Sequence, residues 1–360
     1  MTTVTKDTVA QSLRRVIDPA SKRDVVNLGL VRGVAFCDGV AKITYHVPAD
    51  IASPALQKAL TEQTRTVVSA LSGIKSVDVE INVVASRAAD ALPGVRNVIA
   101  VGAGKGGVGK STVSVLLAIG LQRLGFRTGI LDADVYGPSI PKLTGTETAQ
   151  PMVDSDGRLF PPVRDGMPIM SMGYLVSPDQ AVIWRGPMAQ KYVKDFIDRG
   201  AWGELDHLIV DLPPGTGDIP LTLAQSIPLT GAVIVCTPQD VALLDAIKAL
   251  RMYQKLGVEP LGIVENMSYY VCPQCGHREH IFDHGGCEQA AQELGIPFLG
   301  NIPLNIAIRR FGDAGTPGEY FTKTEGYVAE ALESVVKRLA EEIDRRTKAR
   351  TPLPQLTVRD

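Results

Sequence analysis

The residues with the greatest capacity for chemistry run Gly102-Ala103-Gly104-Lys105-Gly106-Gly107-Val108-Gly109-Lys110-Ser111-Thr112. The stretch fits the pattern G-x-x-x-x-G-K-S/T, in which glycines let backbone N–H groups close around phosphate oxygens at a helix N-terminus. Gly104, Lys105, Gly106, Gly107, Val108, Gly109, Lys110, Ser111 and Thr112 are therefore expected to bind nucleotide. Lys110 is placed to reach the β- and γ-phosphates, and the Ser111 hydroxyl to sit on Mg²⁺. Lys105 is a second lysine inside the loop, more than the pattern requires.

Carboxylates stand at the ends of two apolar runs. Thr128–Leu131 leads into Asp132-Ala133-Asp134, and Leu208–Val210 leads into Asp211-Leu212-Pro213-Pro214-Gly215-Thr216-Gly217-Asp218. Parallel α/β sheets keep their ligands at the C-terminal ends of strands. Asp211 holds the Walker-B position for Mg²⁺, and Gly215 and Gly217 give the following loop freedom to respond to a γ-phosphate. Asp132 and Asp134, two residues apart on an extended segment, are expected to point the same way, toward one metal–water–phosphate cluster. Asn266 follows the apolar run Leu261–Val264 and is expected to read adenine through its amide. No aspartate follows at the spacing of a guanine-specific N-K-x-D motif, so ATP is favoured over GTP.

A second centre lies between residues 270 and 287, where three of the five cysteines and three of the five histidines fall. Cys272-Pro273-Gln274-Cys275 puts two thiolates near enough to share one metal, and soft sulfur selects Zn²⁺ or an iron–sulfur cluster. Two ligands do not fill a four-coordinate site. A symmetric copy could supply a second pair. Cys287 with His277, His280 or His284 could close a zinc knuckle within the chain, or the pair could be a reversible dithiol.

Strand and helix patterns alternate from residue 97 to about 300, including Ala232–Val235, a helix from Asp240 to Leu256 and Leu261–Val264. That is the alternation of an α/β fold with a doubly wound, mainly parallel sheet. Ahead of it, an apolar helical face over residues 5–17 ends at Asp18-Pro19. Strands are expected at Val25–Ala35, Val40–Val47 and Val77–Val84, with an Asp38-Gly39 turn and a helix after Ser53-Pro54. The chain thus divides into a small α+β domain over 1–86, a linker over 87–96, a nucleotide-binding domain over 97–345 and a flexible tail over 346–360. Residues 145–183 show only a strand at Met167–Met172, and Cys236, at a strand end, reads as a core thiol.

With 360 residues, 45% hydrophobic and 21% charged, the composition is that of a globular protein with ample core. A net charge of −2 supplies no basic excess for nucleic acid. The first residues form no apolar core of a secretory signal and no apolar run reaches spanning length, so neither a signal nor a membrane partner is expected. An odd number of cysteines in a long chain points to reduced thiols or metal ligands and a cytoplasmic setting.

The form G-K-G-G-V-G-K-S, with its extra lysine, resembles the deviant P-loop of the MinD/ArsA-like ATPases. In that class the first lysine crosses to a partner's nucleotide, which implies an ATP-linked homodimer with Lys105, Lys110 and Asp134 as catalytic residues. The resemblance implies that Asp134 orients the attacking water, with Asp132 in the Mg²⁺ shell. Together with Asp-Leu-Pro-Pro-Gly-Thr-Gly-Asp and the late Cys-Pro-x-Cys, residues 97–345 look like the Mrp/ApbC family of iron–sulfur cluster carriers. That likeness implies a 4Fe–4S cluster bridged between protomers by Cys272 and Cys275, delivery to apo iron–sulfur proteins, contacts with assembly scaffold proteins, and slow basal ATP turnover. The first 86 residues resemble the iron–sulfur-assembly domain often fused ahead of such ATPases, through Val26-Asn27-Leu28-Gly29-Leu30-Val31 and the helix after Ser53-Pro54. Relatives often carry cysteine where Ser53 stands. Trp184-Arg185-Gly186-Pro187 is a further segment of this likeness. The competing expectation is a nucleotide-gated partitioning ATPase with a structural zinc knuckle.

Overall fold

A computed structural model describes residues 6–19, 24–26, 30–37, 39–48, 52–84, 92–175 and 186–349. The chain divides into two compact units between Ser86 and Arg87. In the first, α1 (Lys6–Ser12) precedes the hairpin of β1 (Val31–Cys37) and β2 (Val40–Pro48), and α2 (Pro54–Ser69) crosses to β3 (Ser76–Val84), parallel to β2. A parallel pair needs such a crossover. Ser53 caps α2 by accepting the Leu56 N–H at 3.1 Å, Pro54 starts it, and Leu56, Leu60, Thr64 and Val68 bury one face at helical spacing. Of the strand expected over Val25–Ala35, residues 27–29 lie outside the described residues, and the described strand is Val31–Cys37. Val25 and Val26 lie in a turn, where the Asp24 carboxylate accepts the Val26 N–H.

The second unit runs β4 (Val95–Ala103), α3 (Lys110–Arg123), β5 (Thr128–Asp132) and α4 (Ile140–Thr144). Four short strands follow: β6 (Met152–Val153), β7 (Leu159–Phe160), β8 (Val163–Arg164) and β9 (Met167–Ser171). Next come α5 (Gly186–Asp198), β10 (Leu205–Asp211), α6 (Asp218–Ser226), β11 (Gly231–Cys236), α7 (Asp240–Lys255) and β12 (Pro260–Asn266). β13 (Tyr270–Val271), β14 (Arg278–Glu279), α8 (Gly286–Leu294), β15 (Phe298–Ile302), α9 (Ile306–Ala314) and α10 (Gly326–Ala349) complete it. The main sheet has the order β15-β12-β11-β4-β10-β5-β9-β8, parallel except for β8 against β9. Its central strands are buried on both faces, as their continuous apolar runs require.

β4 lies between β11 and β10, so its C-terminal end opens where chain connections leave in both directions, the usual ligand position in such sheets. α3 is buried from Val113 to Leu121, and at Gly120 a Cβ would lie 2.3 Å from Val336 Cγ2 of α10, so the absent side chain sets the spacing of the two helices. Residues 346–349, expected to belong to the tail, are helical instead: α10 continues to Ala349, and Arg346 pairs with Glu259 and Glu342. Trp184 and Arg185, with residues 350–360, lie outside the described residues, whereas Gly186 and Pro187 open α5. Among the described residues no helix is long and apolar enough to cross a membrane.

Candidate functional site

The glycine loop joins β4 to α3. Gly107 and Gly109 take φ of 83° and 84°, a left-handed backbone that side chains resist, and Gly109 caps α3. Gly104 has another reason to be glycine: a Cβ there would lie 2.1 Å from the carbonyl carbon of Asp245 in α7. Lys110 is 6% exposed, with Nζ 2.8 Å from Asp211 Oδ2 and 3.1 Å from Asp134 Oδ2. The Ser111 hydroxyl donates to Asp211 Oδ2 at 2.6 Å, and that of Ser114 to Asp211 Oδ1 at 2.7 Å. Burial pulls the Lys110 ammonium down, but Asp211 and Asp134 outweigh it and hold the group above its ordinary range. Ser114 is a contact that sequence reading missed. Its position one helical turn after Lys110 was the available signal.

Asp132 and Asp134 take different partners rather than one common target. Asp132, fully buried, accepts the Asp134 N–H at 3.1 Å on Oδ1, and the Ile140 N–H at 3.2 Å and Ser171 hydroxyl at 2.8 Å on Oδ2. It therefore anchors the segment that aims Asp134 at Lys110. Burial, followed by the charge of Asp211, pushes the Asp132 carboxyl up to about 8. Two buried carboxylates, Asp211 and Asp134, thus face Lys110, and with the Ser111 hydroxyl on Asp211 they make an oxygen-rich set that suits a hard divalent cation.

The loop after β10 is tied to β4, Leu212 N–H donating to Val101 O at 3.2 Å and Gly215 N–H to Ala103 O at 2.8 Å. Gly215 is in the left-handed region at φ 95°. Asn266 is buried under the glycine loop, where its amide donates to Val108 O at 2.8 Å. Lys105 and Thr112 are half-buried, and Lys105 forms no ion pair among the described residues.

Cys272 and Cys275 sit in the turn between β13 and β14, Cys272 half-buried and Cys275 exposed. Cys272 N–H donates to His277 O and Gly276 N–H to Cys272 O, both at 2.9 Å, which closes a tight knuckle. The backbone N–H groups of Cys275 and Gln274, with the neighbouring Cys275 thiol, hold the Cys272 thiol below its ordinary range. A thiol kept toward its anion fits a soft metal or an iron–sulfur cluster. Cys287, the candidate third ligand, is elsewhere. It starts α8 in the hydrophobic core, where contact with the Cys236 thiol and burial push it strongly up. Cys236 is buried as expected. His277 pairs with Glu279 at 3.1 Å, and His280 stacks on His284 with ring centroids 4.2 Å apart. Among the described residues no three His, Cys, Asp or Glu side chains converge on one metal position.

Residues 94–340 match the family described as NUBPL iron-transfer P-loop NTPase, and residues 6–81 match the iron–sulfur cluster assembly protein family. The chain is 43% identical over 347 residues to the iron–sulfur cluster carrier protein of Synechocystis, covering 94% of this chain and 97% of that protein. A nucleotide-binding protein of Archaeoglobus fulgidus, solved in complex with ADP, superimposes with a TM-score of 0.58 at 40% identity, covering 65% of this chain and 92% of that one. The cell division ATPase MinD of Pyrococcus furiosus gives 0.51 at 22% identity, over 69% of this chain and 99% of its own, and shares the fold. The glycine loop, the strand-end carboxylates and these matches agree: the chain belongs to the P-loop NTPase family of iron–sulfur cluster carriers.

Proposed function

We propose that the chain acts as a homodimeric ATPase that carries a 4Fe–4S cluster, held as cargo by Cys272 and Cys275 of two copies, and passes it to apo iron–sulfur proteins in the cytoplasm. The observation that carries this reading is the solvent-reaching pair Cys272/Cys275, half of a four-thiolate set in which the Cys272 thiol is held below its ordinary range, with Cys287 withdrawn into the core. The withdrawal also takes from a zinc knuckle its third cysteine donor. The first unit, by its match to cluster assembly proteins, is the surface that meets scaffold proteins.

In the nucleotide site, Mg²⁺ would be held by Ser111 and Asp211, with Asp132 in its outer shell; when bound, the ion offsets charge on the β- and γ-phosphates. Phosphate draws Lys110 toward itself and off Asp134, whose freed oxygen accepts a hydrogen bond from the attacking water. The 3.1 Å Lys110–Asp134 contact supports this exchange. Asn266 stands beside the base, and the backbone of Gly104–Thr112 wraps the phosphates. Lys105 acts on the nucleotide of the second copy, so turnover is slow until two copies close.

Anaerobic reconstitution with iron and sulfide tests the cargo. One four-iron cluster per dimer gives about two irons per chain, whereas a colourless protein with one zinc per chain overturns the reading. For the ATPase, Lys105→Ala should lower turnover about 10³-fold while affinity for a non-hydrolysable ATP analogue stays within a few-fold. Equal losses in both would remove the role in trans.

A further inference from the structure

The excursion that carries Cys272 and Cys275 leaves the sheet after β12 and returns at α8. Both of its ends are tied to one fully buried carboxylate, Glu265, the penultimate residue of β12. The Ser268 hydroxyl, at the start of the excursion, donates to Glu265 Oε1 at 2.5 Å. The Cys287 N–H, at its end, donates to Oε2 at 3.2 Å, and His284 Nδ1 lies 4.0 Å from Oε1. Ser268 also accepts from or donates through the adjoining backbone: its N–H donates to Ile302 O at 3.0 Å, and its carbonyl lies 3.4 Å from His280 Nδ1.

The next residue, Asn266, faces the nucleotide loop. Besides its hydrogen bond to Val108 O, its Nδ2 lies 2.3 Å from where a Cβ on Gly109 would be, so the loop is pressed directly on this side chain. Alternation along a strand sends neighbouring side chains to opposite faces. Glu265 and Asn266 therefore hold the cysteine excursion on one side and the phosphate loop on the other, through one rigid strand end. Met267, which follows at φ 57°, fixes the turn from strand to excursion.

We infer that Glu265 and Asn266 are positioning residues that transmit the nucleotide state of the glycine loop to the Cys272/Cys275 turn. Closure of the loop on phosphate shifts the Val108 carbonyl, the Asn266 end of β12 follows, and the hydrogen bonds that Glu265 makes to Ser268 and Cys287 re-seat both ends of the excursion. The use of this linkage to gate cargo rests on the carrier reading above, but the linkage itself concerns only two thiols and a nucleotide.

Alkylation of Cys272 and Cys275 in the metal-free full chain tests it without any cluster, with labelling at each cysteine followed by peptide mass spectrometry. A magnesium-loaded non-hydrolysable ATP analogue should change the labelling rate of the wild type about tenfold, within the usual range of coupling between sites. Glu265→Gln, which places an amide donor against one of two incoming donors, should raise the nucleotide-free rate and flatten the response to within twofold. Ser268→Ala, which removes one tie and leaves the glycine loop untouched, should reduce the response while analogue affinity stays within a few-fold. It also keeps the test open if Glu265→Gln does not fold. A wild type that shows no nucleotide response, or a Ser268→Ala response equal to that of the wild type, overturns the linkage. Failure of cluster reconstitution with the labelling response intact would sink the carrier reading alone.

Discussion

The four described cysteines form two pairs in opposite surroundings. Cys272 and Cys275 stand in the loop that joins the short strands β13 and β14, where backbone N–H groups favour the Cys272 anion. Cys236 and Cys287 are fully buried between a strand end and a helix, where the thiol of one raises that of the other. Because the thiolate is the metal ligand, the pair that holds the lowered Cys272 thiol and reaches solvent is the one suited to a soft metal, and the buried pair behaves as apolar filling. The difference lies in the backbone. A knuckle directs N–H donors at sulfur, whereas a helix start packed on a sheet directs its cysteine into the core.

The largest effect that could break this contrast is the loss of cargo. After anaerobic reconstitution, Cys272→Ala or Cys275→Ala should fall from about two irons per chain to nearly none, and Cys236→Ala and Cys287→Ala should keep their iron. A folded Cys287→Ala protein without iron would reverse the assignment of the pairs. A smaller effect, in the rate of alkylation, sharpens the contrast. With its pKa lowered from the ordinary 9.0, the Cys272 thiol stays anionic at lower pH than a free cysteine. Its labelling rate in metal-free, nucleotide-free protein should fall only as pH drops through that lowered value, while Cys236 and Cys287 label only after unfolding. A labelling profile over about pH 6 to 9 that is the same for all four cysteines would erase the distinction.

The sequence made the strand–loop–helix around Lys110 legible because glycine, lysine and hydroxyl spacing is local. It also marked Asp132 and Asp211 as strand ends, since unbroken apolar runs precede them. What stayed hidden is contact across the chain. Gly104 reads as a phosphate glycine, yet it also lets the backbone of Asp245 approach. Asn266 reads as a base contact, yet it holds Val108 158 residues away. Asp132 is bound by Ser171, 39 residues on, in a region where only one strand could be read. Cys287 looked like a ligand because spacing carries no record of which way a helix faces.

The smallest expected effect is on stability, and it compares the pairs through one substitution. Cys275→Ser exchanges one polar group for another on an exposed turn, so it should move the stability of the metal-free protein by no more than about 0.5 kcal/mol. Cys287→Ser puts a hydroxyl into the core. The carbonyl of Thr237 lies 3.9 Å from the present sulfur, too far for a hydroxyl oxygen at the same position to bond well. The alternative acceptor, Glu265, already receives Ser268 and the Cys287 N–H. The hydroxyl is therefore buried with poor compensation, at a cost of about 1–3 kcal/mol. Cys287→Ala removes the sulfur without adding a polar group and should cost less, about 1 kcal/mol, as a small cavity. Urea unfolding of the three variants measures this order: if Ser were no worse than Ala at position 287, the core would hold a polar partner that makes this pair less inert than its burial implies.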